Sequence, residues 1–299
     1  MAVAAGRTRA CPACNSSRAK SLGEKGGFEL VVCRVCSTLY APIQTDTSQN
    51  YDDYYTVENL QVPDFIATRL DEIVDSFAAY RNNNRLLDIG CGAGSLLMAA
   101  KRANWNAEGV DVSASAIEDL HRRGLKAFQG DLIEASYPTA YFDVVTAGEL
   151  IEHVPDPASL VAEIARILRP GGILWATTPH SKGASARLLK LKWSVIAPPE
   201  HLHLFSIRGL KKLLARHGFR RVRVATEGLN PTELLGALRS QETTPAGASE
   251  IEGHTRVDSS YSWNEAMLRN ARRRMLKNAA NAVLRASRLG DSLKVWAEL

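Results

Sequence analysis

Between residues 85 and 177, short apolar runs alternate with stretches whose apolar positions recur every three or four residues, the two periodicities of buried strand and surface helix. Arg85–Gly90, Ala107–Val112, Ala127–Gly130, Phe142–Ala147 and Ile173–Thr177 read as strands. Ser95–Ala103, Ser115–Arg123 and Pro157–Leu168 read as helices, the last ended by Arg169-Pro170-Gly171-Gly172. This alternation predicts a parallel sheet covered on both faces. A helix at Arg208–His217, a strand at Arg220–Ala225, a helix at Asn264–Leu289 and a terminal strand at Asp291–Ala297 extend it to seven strands in a doubly wound α/β fold.

The flanks read differently. Residues 11–40 are rich in Cys and Gly, with short extended runs such as Phe28-Glu29-Leu30-Val31-Val32, a β unit too small to hold itself together by apolar burial. Residues 51–60, YDDYYTVENL, are acidic and aromatic, and Asp64–Tyr80 carries Phe65, Ile66, Ile73, Val74 and Phe77 at helical spacing. Residues 179–199 are irregular, and 240–260, rich in Ser, Thr, Gly and Glu, read as a long loop or unstructured insertion. The expected organisation is a small metal ribbon at 1–45, a helical connector at 46–84, a core at 85–225 with a lid at 180–205, and a C-terminal section at 226–299 that completes the sheet.

With 299 residues, 45% of them apolar, the chain can bury one α/β core and a smaller appended unit. Residues 1–10 hold Arg7 and Arg9 but no apolar run of a signal peptide, and no stretch approaches the ~20 apolar residues that span a bilayer. The expectation is a cytoplasmic protein without a transmembrane segment. A net charge of +5 suits an anionic small molecule, a nucleic acid or an anionic membrane surface equally. Cys11-Pro-Ala-Cys14 and Cys33-Arg-Val-Cys36 are separated by 18 residues, the spacing of a tetrahedral four-thiolate site. A structural Zn2+ there would supply the folding free energy so short a unit lacks. With four protein ligands the metal is closed to catalysis, and neither pair opens a helix after a strand as a thioredoxin-like CxxC does.

The strand at 85–90 runs into Gly90-Cys91-Gly92-Ala93-Gly94 and then a helix. Such a loop lets the backbone turn sharply and a ligand approach where a Cβ would clash. Asp88 precedes it; Asp111 ends the next strand, where a carboxylate can accept ribose hydroxyls; and Gly130-Asp131-Leu132 follows the third, where a carboxylate can accept from an adenine amine. Together these residues outline a nucleoside-shaped slot.

LLDIGCGAGS, GVDVS, QGDL, FDVVTAGELIEHV and LRPGGILWATTP, in this order, resemble the successive motifs of class I S-adenosylmethionine (SAM) dependent methyltransferases, over residues 85–225. The resemblance implies a Rossmann-like seven-stranded methyltransferase sheet. It places Gly90, Gly92 and Gly94 against the methionine part of SAM, Asp88 at its amino group, Asp111 with Val112 at the ribose, and Asp131 with Leu132 at the adenine, with Cys91 in the loop as a small packing residue. The cysteine segment resembles the N-terminal zinc ribbons of some bacterial sugar and natural-product methyltransferases and of certain ribosomal RNA methyltransferases.

For the chemistry, Glu149, Glu152 and His153 stand at i, i+3 and i+4, one face if the turn is helical, and His201 and His203 follow in EHLHLFSIRGL. His153 could be the general base for a hydroxyl. Alternatively, Glu149, Glu152, His153 and one of His201 or His203 could hold a divalent ion such as Mg2+, a layout that resembles the ExxEH-plus-His site of small-RNA 2′-O-methyltransferases and quinone-pathway O-methyltransferases. A purely structural role is the third reading. Amine methyltransferases of nucleobases usually carry an Asn/Asp-Pro-Pro-aromatic loop where this chain has Ala147-Gly148-Glu149-Leu150, which favours an oxygen acceptor. Arg187, Lys190, Lys192 and Trp193 suit a phosphorylated or nucleotide-linked sugar or are a solvated lid surface. The expected function is O-methylation of a sugar, glycan precursor or related natural product. Two rivals are an RNA methyltransferase gripping nucleic acid with the ribbon and the stripe of Arg269, Arg272, Arg273, Arg274, Lys277, Arg285 and Arg288, and a non-catalytic SAM-binding scaffold. The same stripe could also rest on an anionic membrane.

Overall fold

The computed structural model describes residues 9–43, 64–239 and 271–299. Residues 51–60 and 240–260 and the start of the helix expected from Asn264 lie outside them. The ribbon consists of β1 (Ala19–Lys25), β2 (Phe28–Cys33) and β3 (Leu39–Tyr40). Helix α1 (Asp64–Asp75) leads into β4 (Arg85–Ile89), α2 (Ser95–Arg102), β5 (Asn106–Asp111), α3 (Ala114–Arg122), β6 (Lys126–Gln129), β7 (Phe142–Gly148), α4 (Pro157–Ile167) and β8 (Leu168–Pro179). Then follow α5 (Ala184–Leu189), β9 (His203–Leu204), α6 (Ile207–Arg216), β10 (Arg221–Glu227), α7 (Pro231–Arg239), α8 (Ala271–Ser287) and β11 (Ser292–Glu298).

The large sheet has seven strands in the order β10-β11-β8-β7-β4-β5-β6. β8, β7, β4, β5 and β6 are parallel, and β11 runs antiparallel between β8 and β10. Period-two alternation divides the core between the faces. Leu86, Val144, Ile173 and Trp175 meet Val74, Phe77, Leu96 and Trp105 on one side. Leu87, Ile89, Val145, Leu174, Leu293 and Val295 meet Leu160, Val161, Ile164, Leu210 and Leu213 on the other. Each such buried side chain contributes roughly 1.5–3 kcal/mol. The chain order reverses at β4, which opens the crevice where ligands of doubly wound sheets bind.

Three expectations are corrected. The helix expected over 64–80 stops at Asp75 and closes with a single 3-10 turn at Ala78–Tyr80. β8 starts directly at Leu168, without the break expected at Pro170. The irregular segment 179–199 contains α5, and its Trp193 is buried with Leu30, Leu39, Leu189 and Ile196, so its ring is not available to stack on an acceptor. α7 was not foreseen.

The ribbon is built into the core. β3 pairs antiparallel with β9 through Leu39 opposite Leu204 and Tyr40 opposite His203, giving a four-stranded sheet whose last strand comes from the lid. Cys11, Ala13, Cys33 and Cys36 join the same buried cluster as α4 and α6. A Cβ at Gly209 in α6 would stand 2.2 Å from Thr38 Oγ1, so only glycine allows this approach.

At the opposite edge, fully buried Asp143 pins the entrance to β4. Its Oδ2 accepts the backbone N–H groups of Asn82, Asn83 and Asn84 at 3.0, 2.9 and 2.7 Å, and its Oδ1 accepts from Arg169 Nε at 2.5 Å. Burial alone would raise this carboxyl, but Arg169 and the N–H groups outweigh it and hold it below the usual carboxylate range. Asp143→Asn should destabilise by about 3–5 kcal/mol by leaving Arg169 without its charge partner. In the native protein the contribution is complete above the unfolded carboxyl value, about 3.9, and drains away as pH falls through the depressed folded value. Thermal melts between neutral and acid pH should show this acid-side loss in the wild type and a smaller one in the variant; parallel curves would refute the assignment.

Candidate active site

The C-terminal ends of β4, β5 and β7 gather the polar residues singled out above. The loop after β4 needs left-handed backbone at Gly90, Gly92 and Gly94, with φ of 68°, 45° and 70°. Gly94 caps α2, and a Cβ on it would lie 2.3 Å from Leu120 Cδ2. Gly92 N–H donates to Asp111 Oδ2 at 2.8 Å and Ser113 N–H to Asp111 Oδ1 at 3.0 Å, so one carboxylate fixes the loops after β4 and β5 together. Gly130 N–H donates to the Asp111 carbonyl at 2.9 Å, which brings the 130–132 turn to the same edge. Within that turn Asp131 Oδ1 accepts Glu134 N–H and Glu134 Oε2 accepts Asp131 N–H, both at 2.8 Å, a reciprocal cap. Leu132 is buried, while Val112, Phe128 and Ile133 expose apolar surface on these same strand ends. Cys91 is buried against Gly109, and burial raises its thiol pKa, so it packs.

Asp88 is buried beneath this loop, and burial pushes it up to about 7 against a 2.6 Å hydrogen bond donated by Thr146 Oγ1. Sequence reasoning missed Thr146 because a threonine in a buried strand reads as a β-branched packing residue.

Beyond β7, the segment 149–153 is a turn and not a helix. Glu149 adopts φ +47°, a costly conformation for a non-glycine, and its N–H donates to Thr177 O at 2.9 Å. Burial raises the pKa of its carboxyl, while interactions with Thr177, Glu152 and Ser292 oppose the rise. Glu152 is buried and pushed well above the usual carboxylate range by burial and by Glu149. Its Oε2 accepts from Thr178 Oγ1 at 2.9 Å, whereas its Oε1 has no hydrogen-bond partner among the described residues and stands 4.0 Å from His153 Nε2.

His153 Nδ1 donates to Glu200 O at 3.0 Å, and His201 Nδ1 to Val195 O at 2.5 Å. Both imidazoles therefore carry their lone pair on Nε2. The rings meet edge-on with centroids 4.6 Å apart, and burial together with His201 lowers His153 to about 4. One ligand atom from each of Glu152, His153 and His201 falls within 4.8 Å of the others. Glu149 is not in that set, and His203 is turned elsewhere. Fully buried His203 donates from Nε2 to Ile151 O at 2.8 Å, its Nδ1 faces Arg9 Nη2 at 3.5 Å, and burial lowers it to about 3. It braces the turn, and of the two histidines offered as the distal ligand it is His201 that meets His153.

The four ribbon cysteines also converge within 4.8 Å. Cys11 and Cys36 Sγ lie 3.5 Å apart and Cys14 and Cys33 Sγ 3.6 Å, close to the roughly 3.8 Å edge of a tetrahedron with 2.3 Å metal–sulfur bonds.

A family model described as a methyltransferase domain matches residues 61–224. The chain is 34% identical over 163 residues to a ubiquinone biosynthesis O-methyltransferase of Ralstonia nicotianae, covering 51% of this chain and 65% of that protein. It is 38% identical over 116 residues to the 27-O-demethylrifamycin SV methyltransferase of Amycolatopsis mediterranei, covering 36% and 43%. The matches thus span less than two thirds of these relatives. Among solved structures, a SAM-dependent methyltransferase from Archaeoglobus fulgidus superposes with a TM-score of 0.52 at 19% identity, covering 79% of this chain and 94% of that one. The Haemonchus contortus phosphoethanolamine N-methyltransferase 2 in complex with S-adenosyl-L-methionine superposes with a TM-score of 0.50 at 18% identity, covering 87% and 62%.

Gly94→Ala should cost about 2 kcal/mol through strain and overlap with Leu120 and lower the thermal midpoint by about 4–8 °C. An unchanged midpoint would show that the loop tolerates a side chain there. With the methyltransferase domain matched over more than half of its length, the chain belongs to the class I SAM-dependent methyltransferases.

Proposed function

We propose that the chain transfers the methyl group of SAM to a hydroxyl oxygen of a small molecule, with a sugar, glycan precursor or related natural product as acceptor. The observation that carries this reading is the Glu152–His153–His201 cluster beside the glycine loop, where Leu150 Cδ1 lies 3.0 Å from the position of a Cβ on Gly90. The O-methyltransferase names of the relatives agree with it. In this reading Asp88 receives the ammonium of SAM, Asp111 the ribose and Asp131 with Leu132 the adenine edge, while Val112, Phe128 and Ile133 offer apolar contact to the ring.

Methyl transfer needs the acceptor oxygen in line with an activated carbon and a place for its proton. His153 Nε2 offers a lone pair, and Glu152 Oε1 faces the imidazolium that forms. A histidine near 4 is a weak base at neutral pH. The orphaned Glu152 oxygen and two imidazoles in one tautomer fit a divalent cation, and two nitrogen donors suit a borderline ion such as Mn2+ better than Mg2+. When bound, such an ion would occupy the His153 Nε2 lone pair and lower the pKa of the acceptor hydroxyl in place of a histidine base. The ribbon thiols would hold a structural Zn2+.

With labelled SAM and a panel of nucleotide sugars, phenols and RNA, methyl should appear on a small-molecule hydroxyl. His153→Ala and Glu152→Gln should each lower kcat by about 10²-fold or more with SAM affinity kept, and Glu152→Gln should abolish any response to added Mn2+. Transfer only to RNA, or full turnover in His153→Ala, would overturn the reading. Separately, Cys36→Ser should reduce bound zinc from about one per chain and lower the melting midpoint. A zinc-free wild type of unchanged midpoint would remove the ribbon metal.

A further inference from the structure

The carboxylate of Glu227, at the end of β10, is surrounded by three cations from three different elements. Lys294 of β11 contacts Oε2 directly; Arg69 of α1 lies 3.5 Å from Oε2, and Arg285 of α8 lies 3.5 Å from Oε1. One negative charge faces three positive ones, an excess of two. The Lys294 side chain is only 14% exposed, whereas those of Arg69 and Arg285 are 55% and 50% exposed. A buried ammonium with two like charges beside it is costly to hold, and Lys294 is lowered by burial first and by Arg69 next.

The register places this cluster beside the site. Ser292 pairs with Pro179 at the C-terminal end of β8 on one side and with Glu227 on the other, and the Ser292 side chain interacts with the Glu149 carboxyl. The cations therefore share the sheet edge of the acceptor recess, one strand beyond it, with both guanidinium groups reachable from solvent.

We infer that Arg69, Lys294 and Arg285 form a phosphate-recognition subsite for a phosphomonoester group on the acceptor, whose charge of about −1.5 to −2 at neutral pH matches the excess of two. Two guanidinium forks and an ammonium are the donors such a group takes. Until an anion arrives, Glu227 neutralises part of this charge. This inference deepens the proposed function and rests on its acceptor recess.

The test uses the full chain saturated with S-adenosylhomocysteine and inorganic phosphate as probe, titrated calorimetrically at constant ionic strength against chloride. Phosphate should bind the wild type. Arg69→Gln combined with Arg285→Gln, both half-exposed positions, should weaken it about tenfold or more. Glu227→Gln should strengthen it about threefold by removing the competing carboxylate. Absence of phosphate binding to the wild type, equal affinity in the double variant, or no gain in Glu227→Gln each overturns the subsite. Failure of S-adenosylhomocysteine to bind would instead strike the methyltransferase reading, and the phosphate titration of the free protein would still decide the subsite.

Discussion

The site depends first on the carboxylate of Asp111, which receives the N–H of Gly92 from one loop and that of Ser113 from another. Both bonds are charge-assisted and nearly closed to water, where such bonds are strongest. They hold the glycine loop in its left-handed turns, which helical or extended residues would not adopt unaided. Asp88 lies close enough to feel the Asp111 charge, and burial together with that charge keeps it poised near neutrality. A second buried carboxylate is tolerable because it can take a proton, which makes this end of the sheet ready to receive a cation.

The ribbon acts on the same site through backbone. Arg9 donates to Ala41 O in the ribbon, to Leu202 O beside β9 and to Pro155 O beyond the turn of Glu152 and His153. Leu202 N–H donates to Glu152 O, His153 to Glu200 O and His203 to Ile151 O. The turn bearing Glu152 and His153 is thus laced to a segment that is itself the fourth strand of the ribbon sheet. A metal that folds the ribbon would stiffen the turn of Glu152 and His153 without touching it, and the inner face of the ribbon is spent on α6.

Much of this architecture was legible because parallel strands buried on both faces read as continuous apolar runs, and the glycine loop and strand-terminal acids fall at fixed places on them. What was hidden depends on pairing between distant segments. His201 and His203 alternate in sequence, yet β9 turns His203 into a bond with Ile151 and leaves His201 against His153; period two separates them, but only the strand β3 could say which goes where. Trp193 resembled an exposed stacking platform until the ribbon supplied the apolar wall that buries it. Thr146, Thr178 and Ser292 were invisible for a related reason: hydroxyls that bond a carboxylate from another strand's end leave no local pattern.

Acidic and basic side chains concentrate on different strands of the sheet's C-terminal edge, with Glu227 set among the basic ones. Asp88, Asp111, Glu149 and Glu152 lie over β4, β5 and β7, and Lys294, Arg69 and Arg285 lie over β10 and β11. A sulfonium donor carries positive charge on sulfur and on its amino group, so the acidic half suits it and the basic half repels it. An anionic acceptor faces the reverse pair of forces. With effective dielectric constants near 20 at such half-buried sites, unit charges a few ångströms apart interact by several kcal/mol, enough to orient the two reactants before any contact specific to either is made. The antiparallel β11 makes this possible, because it starts at the edge where β8 ends and so presents Ser292 and Lys294 across β8 from the acids that follow β7.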